Sequence, residues 1–155
     1  MNTHATRGED GLGVLTVGDD LGPLVVELSE AANDRSWAAA GIDHPARTAG
    51  ALYPPFAANL TIMAVQTVVA RPLLQTAQLL VCHRQARAGV ALTVRGRVTD
   101  RFEKRGRDYA VIDATVLLPD DDPLWTSRAT FTEAAVRQAP EGDATCSGAT
   151  RRRVR

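Results

Sequence analysis

The sequence predicts an α+β domain in which a curved antiparallel sheet wraps one central apolar helix, and three observations point there. A β-branched run is followed by a capped helix. A second helical segment has almost no polar face, and a helix like that has to be enclosed. From residue 75 onward the apolar period changes to two, with a turn signal after each run. At 155 residues the chain is long enough for one such domain and too short for two comfortable ones.

The elements follow in order. Residues 1 to 13 are polar and glycine-bearing, and 1 to 17 are expected to be a flexible N-terminal segment. LVVEL, 24 to 28, is the first strand. SEAANDRSWAAAG follows, with Ser29 placed to cap a helix and Gly41 placed to end it. PPFAANLTIMAVQTVVA, 54 to 70, is the enclosed helix, with Asn59, Thr61, Gln66 and Thr67 its only polar residues. Pro54 and Pro55 suit a helix start, where amide hydrogens lack intrahelical partners. The β-branched end, Thr67 to Val69, is also compatible with extended chain.

Leu79, Val81 and His83 share one face of the next run, and Val90, Leu92, Val94 and Val98 share one face of the run after it. Reversals are expected at RAGV (87 to 90), EKRGRD (103 to 108) and LPDDDP (118 to 123). DYAVIDATVLL and LWTSRATFTEAAV are the strands on either side of the last one. The folded domain is therefore placed at 18 to 136. Residues 137 to 155, which carry Arg151, Arg152, Arg153 and Arg155 without a hydrophobic period, read as a disordered basic tail.

Composition narrows the partners. Hydrophobic residues make up 45%, charged residues 23%, and formal net charge is zero, so no overall field calls for nucleic acid or an anionic membrane. No signal-peptide core or membrane-length apolar run is present, and Cys82 and Cys146 form no disulfide framework. The expectation is a cytoplasmic protein. No cluster of metal-ligating residues stands out, and no metal is expected.

Chemistry-bearing residues concentrate in GIDHPARTAG, 41 to 50. Asp43 and His44 are adjacent and could act on one substrate, with Tyr53 or His83 as a further acid. Each also has a structural reading. Asp43 can be a turn former bonding to nearby amides. His44 can pack within the loop or face an apolar tunnel, His83 can be a hydrogen-bonded core or interface residue, and Tyr53 can close a tunnel with its ring. Asn59, placed on the enclosed helix, would need a partner from backbone or substrate. Arg95, Arg97, Arg101, Lys104, Arg105 and Arg107 crowd one strand and its turn, and read as a solvated face interleaved with acids or as a landing zone for phosphates.

These elements, with AAAGIDHP, the GALYPPF helix entry, the strand pair from LLVCHRQ to YAVIDATV and the closing SRATFTEA, resemble the MaoC-like hotdog family over residues 18 to 135. The resemblance implies a hotdog fold that pairs edge to edge, and acyl thioesters on coenzyme A or an acyl carrier protein (ACP) as substrates. It implies hydration or dehydration between C2 and C3, in lipid or polyketide-like metabolism, with coenzyme A or phosphopantetheine only as the substrate's carrier. The family's catalytic loop has the form D-x-N-P-x-H, and a His-Gly pair opens its central helix. Laid on Pro45, the family aspartate falls on Ile42, the asparagine on His44 and the histidine on Arg47. The His-Gly pair falls on Pro54 and Pro55. Isoleucine cannot transfer a proton, arginine is a poor base, and proline has no amide hydrogen.

The pattern resembles the family's non-catalytic halves. It implies a substrate-binding or scaffolding subunit of a 3-hydroxyacyl dehydratase or enoyl hydratase, a homodimer or a heterodimer with a catalytic hotdog, in which Tyr53, Phe56, Asn59, Arg47 and His83 contact substrate. The alternative is a stand-alone dehydratase, isomerase or thioesterase using Asp43 and His44. A plain ligand-binding or regulatory hotdog is a third class.

Overall fold

The computed structural model describes residues 11 to 134. After a single 3-10 turn, Leu12–Val14, come strand β1 (Asp20–Val26), helix α1 (Glu30–Ala39), the one-turn helix α2 (Pro45–Thr48) and helix α3 (Pro55–Val65). Four strands then follow: β2 (Leu73–Cys82), β3 (Leu92–Lys104), β4 (Arg107–Leu117) and β5 (Pro123–Glu133). They form one antiparallel sheet in the order β1-β3-β4-β5-β2, and α3 lies on its inner face in contact with all five strands.

Local chemistry accounts for the boundaries. The Ser29 hydroxyl accepts from the Ala32 amide at 3.3 Å and opens α1. The chain leaves the end of that helix through Gly41 at φ +66°. Arg105 and Gly106 both have positive φ, the conformation of a two-residue hairpin turn that keeps the strand twist, so β3 and β4 form a tight pair. Helix α3 stops at Val65, five residues before the end expected for it. The Thr67 hydroxyl donates to the Ala64 carbonyl at 2.7 Å and its amide donates to the same oxygen at 3.2 Å, closing the last turn. Strand β1 begins four residues earlier than expected, and β2 begins two earlier.

The core fills the space between α3 and the sheet. Leu12, Leu15, Val65, Val98, Ile112 and Phe131 are among those that bury one end, and Leu60, Val94, Val116, Leu124 and Trp125 are among those at the other. Residues 11 to 17 therefore correct an expectation. They are packed rather than flexible, because Leu12 and Leu15 are buried and the Leu12 amide donates to Glu133 Oε1 at 2.8 Å. Residues 1 to 10, and the basic tail with Arg151 to Arg155, lie outside the described residues.

The helix is not enclosed all round. Leu60, Thr61, Ala64 and Val65 are buried, whereas Asn59 is exposed and Met63 is 37% exposed. One sheet can cover only one side of a helix, so the opposite side of α3 is left bare within this chain. Asn59 consequently needs no buried partner. Thr61 is the reverse case, since its hydroxyl is buried and has no hydrogen-bond partner. Replacing Thr61 by the isosteric valine removes an unpaired polar group, and should stabilise the fold by about 1 kcal/mol. Urea denaturation checks this, and a loss of stability would show that the hydroxyl is satisfied in solution.

Candidate functional site

The loop between α1 and α3 is built around Trp37. Its indole lies stacked with His44 at a centroid distance of 6.2 Å and meets the Tyr53 ring edge-on at 5.1 Å. Its Nε1 donates to the Ala51 carbonyl at 3.1 Å. One turn earlier, the buried Asn33 donates to the same carbonyl at 2.9 Å and accepts from the Tyr53 amide at 2.7 Å. The Leu52 amide donates to the Ala86 carbonyl at 2.8 Å, tying the segment to the β2–β3 connection. Asn33 and Trp37 thus hold the approach to α3, and neither stood out in the sequence, because an asparagine inside a helical run carries no periodic signal.

Within this frame His44, not Asp43, forms the turn. Its Nδ1 accepts from the Ala46 amide at 3.1 Å and caps α2, which leaves only Nε2 for any other partner. Asp43 is exposed and lines a wide recess with Pro45, Thr48 and Ala49. The turn-forming role expected for Asp43 therefore belongs to its neighbour, because the imidazole sits against Trp37 and is held over the amide. Arg47 pairs with Asp34 across α1 at 3.8 Å, a contact worth little at this exposure. Ile42 carries no titratable group and is half exposed.

The start of α3 offers no free donor. Pro54 and Pro55 have no amide hydrogen. The next two amides are engaged, Phe56 with the Tyr53 carbonyl and Ala57 with the Pro54 carbonyl, both at 3.0 Å. Helix N-termini ordinarily hold developing negative charge through such amides. Here the first turn cannot.

Of the remaining expected contact residues, Tyr53 and Phe56 come together with this loop; Phe56 is half-buried against the core cluster of Leu60 and Trp125. Asn59 lies one turn further along α3, on its bare side. His83 stands apart. It is exposed, on the outer face of the sheet, with Nε2 2.9 Å from the Thr126 hydroxyl, and is not a core residue. Leu79 and Val81 share that face, 64% and 44% exposed, while Gln78 and Leu80 turn inward. Gln78 reaches α3 itself, donating to the Ala58 carbonyl at 3.2 Å and to the Ser127 hydroxyl at 3.0 Å. The basic cluster is likewise divided. Arg101 turns to the Leu15 carbonyl at 2.6 Å, and Arg97 pairs with Asp20 on the outer face at 3.8 Å.

Among the described residues no three His, Cys, Asp or Glu side chains converge as metal ligands, and no helix is long and apolar enough to cross a membrane. No protein-family model matches the chain, and no curated protein matches it in sequence.

Solved structures do match. The C-terminally truncated HadBC (3R-hydroxyacyl-ACP dehydratase) complex of Mycobacterium tuberculosis aligns with a TM-score of 0.64 at 19% identity, over 75% of this chain and 96% of that one. A MaoC-like dehydratase from Rhodospirillum rubrum gives 0.64 at 16% identity, over 79% and 95%. The ChsH1–ChsH2 complex of Mycobacterium tuberculosis gives 0.62 at 13% identity, over 77% and 98%. At these identities the likeness is one of fold. The fold of this chain is the hotdog of the MaoC-like dehydratases.

Proposed function

We propose that this chain is the substrate-binding or scaffolding subunit of a dehydratase or hydratase acting on acyl thioesters of coenzyme A or acyl carrier protein, paired with a second hotdog that supplies the acid and base. The observation that carries this reading is the entry to α3. Prolines stand at its cap and first position and the next two amides are already bonded, so no oxyanion donor remains in the first turn. Ile42 and Arg47 stand where a proton-transferring pair would be needed. Tyr53, Phe56 and the bare side of α3 then contribute apolar surface for an acyl chain, and the chemistry comes from the partner. No resident cofactor takes part, and the location is cytoplasmic.

The contrast between the two sheet edges supports pairing through β2. Strand β1 is broken by a bulge between Leu21 and Leu24, and Pro23 has no amide to offer. Strand β2 runs ten residues, LLQTAQLLVC, without one charge, and exposes Leu74, Leu79 and Val81. An edge with no charge to discourage pairing fits one that is covered by another hotdog in the working assembly. HadBC and ChsH1–ChsH2 are both described as complexes, and a heterodimer of this kind is the arrangement proposed here.

The test is turnover by the purified chain, alone and with a catalytic hotdog. Alone it should neither hydrate 2-enoyl thioesters nor dehydrate 3-hydroxyacyl thioesters, yet it should bind a long acyl thioester. The mixture should turn over, and folded Asp43→Asn and His44→Ala variants should work equally well in it. Unaided wild-type activity that falls a hundredfold or so in either variant would instead assign the reaction to residues 41 to 50.

A further inference from the structure

On the outer face of the sheet, opposite α3, charges alternate in one unbroken row. Asp20 on β1 is in register with Arg97 on β3, Arg97 with Asp113 on β4, and Asp113 with Arg128 on β5. Arg97 and Asp20 are 3.8 Å apart, Arg128 and Asp113 3.1 Å, and all four side chains are between 45% and 79% exposed. The row borders a shallow groove of about 540 Å³ floored by the small residues Gly96 and Ala114. Exposed cross-strand pairs of this kind contribute little to the stability of one chain, and the row presents charges of strictly alternating sign outward across four strands.

We infer that this face is a self-complementary docking surface for a second copy of the chain, held back to back by the row Asp20, Arg97, Asp113 and Arg128. Consider a twofold axis parallel to the strands, between the two sheets, over the space separating β3 from β4. It reverses the order of strands across the interface. Asp20 then faces the second copy's Arg128, and Arg97 faces the second copy's Asp113, so all four contacts are attractive. Arg95, one row away on β3, faces the second copy's Thr115. The same twofold makes the contact isologous and closed, and back-to-back sheets pack with nearly aligned strands. The contact leaves the β2 edge free.

The symmetry yields a complementation test. In Asp20→Arg both end contacts set arginine against arginine, and in Arg128→Asp both set aspartate against aspartate. Each variant alone should associate on the order of a hundredfold more weakly than wild type and show half its mass by analytical ultracentrifugation. Mixed in equal amounts, the two variants pair arginine with aspartate at both ends, and should recover the wild-type mass. Wild-type association should also weaken as salt rises. Circular dichroism checks that both variants are folded. Variants with the mass of wild type would overturn the proposal, and so would a mixture that stays at half mass.

Discussion

Val65→Asp should abolish folding. Val65 has no exposed surface and packs in the cluster with Leu12, Leu15, Leu21, Val98, Ile112 and Phe131, which holds no polar side chain able to pair a carboxylate. An unpaired buried charge costs on the order of 3 to 5 kcal/mol, close to the whole stability of a small domain. Met63→Asp is the matched control, since Met63 lies on the bare side of the same helix and should change stability by less than about 1 kcal/mol. Ile62, half-buried, should fall between them. Soluble yield and urea midpoints decide the matter; a Val65→Asp protein as soluble and stable as Met63→Asp would mean that α3 does not fill the sheet.

Asn33→Ala should be the most damaging truncation of a polar side chain in the loop scaffold. The Asn33 amide group satisfies the Ala51 carbonyl and the Tyr53 amide from one buried position. Removing it leaves the Tyr53 N–H without an acceptor and opens a small void, with an expected cost of about 2 to 3 kcal/mol. Trp37→Phe keeps an aromatic ring beside His44 and Tyr53 but loses the N–H and part of the indole, while the Ala51 carbonyl still receives Asn33, so about 1 to 2 kcal/mol is expected. Hydrogen exchange adds a local readout. The Tyr53 amide should lose protection in Asn33→Ala well beyond the global loss of stability and keep it in Trp37→Phe. Equal losses in the two variants would show that Asn33 does not anchor this segment.

Much of the candidate site was legible because it consists of substitutions at fixed places. A proline lacks an amide hydrogen wherever it stands, and isoleucine carries no proton in any environment. The lack of a free amide donor at residues 54 and 55 therefore follows from residue identity, and the bonded amides of Phe56 and Ala57 extend it. The division of labour between Asp43 and His44 was not legible. Both side chains can cap a turn ahead of a proline, and the choice falls to His44 because Trp37, seven residues away on α1, supplies a surface for its ring.

By itself the sequence determined the α+β class, the antiparallel strands, the capped first helix, the reversal within residues 103 to 108 and the apolar centre, since each rests on local propensity or on side-chain period. Period has a limit: it says which residues share a face of a strand, never which face looks inward. Leu79, Val81 and His83 do share a face, but it is the outer one, and the polar Gln78 lies inside where it can reach the Ala58 carbonyl. Likewise an apolar helix must be covered, and only the single sheet shows that one side of α3 stays bare within this chain. The packing of Leu12 and Leu15 against strands more than eighty residues away, and the alignment of Asp20, Arg97, Asp113 and Arg128 into one row, depend on strand order and register. Those are set by contacts distant in sequence, and no local pattern encodes them.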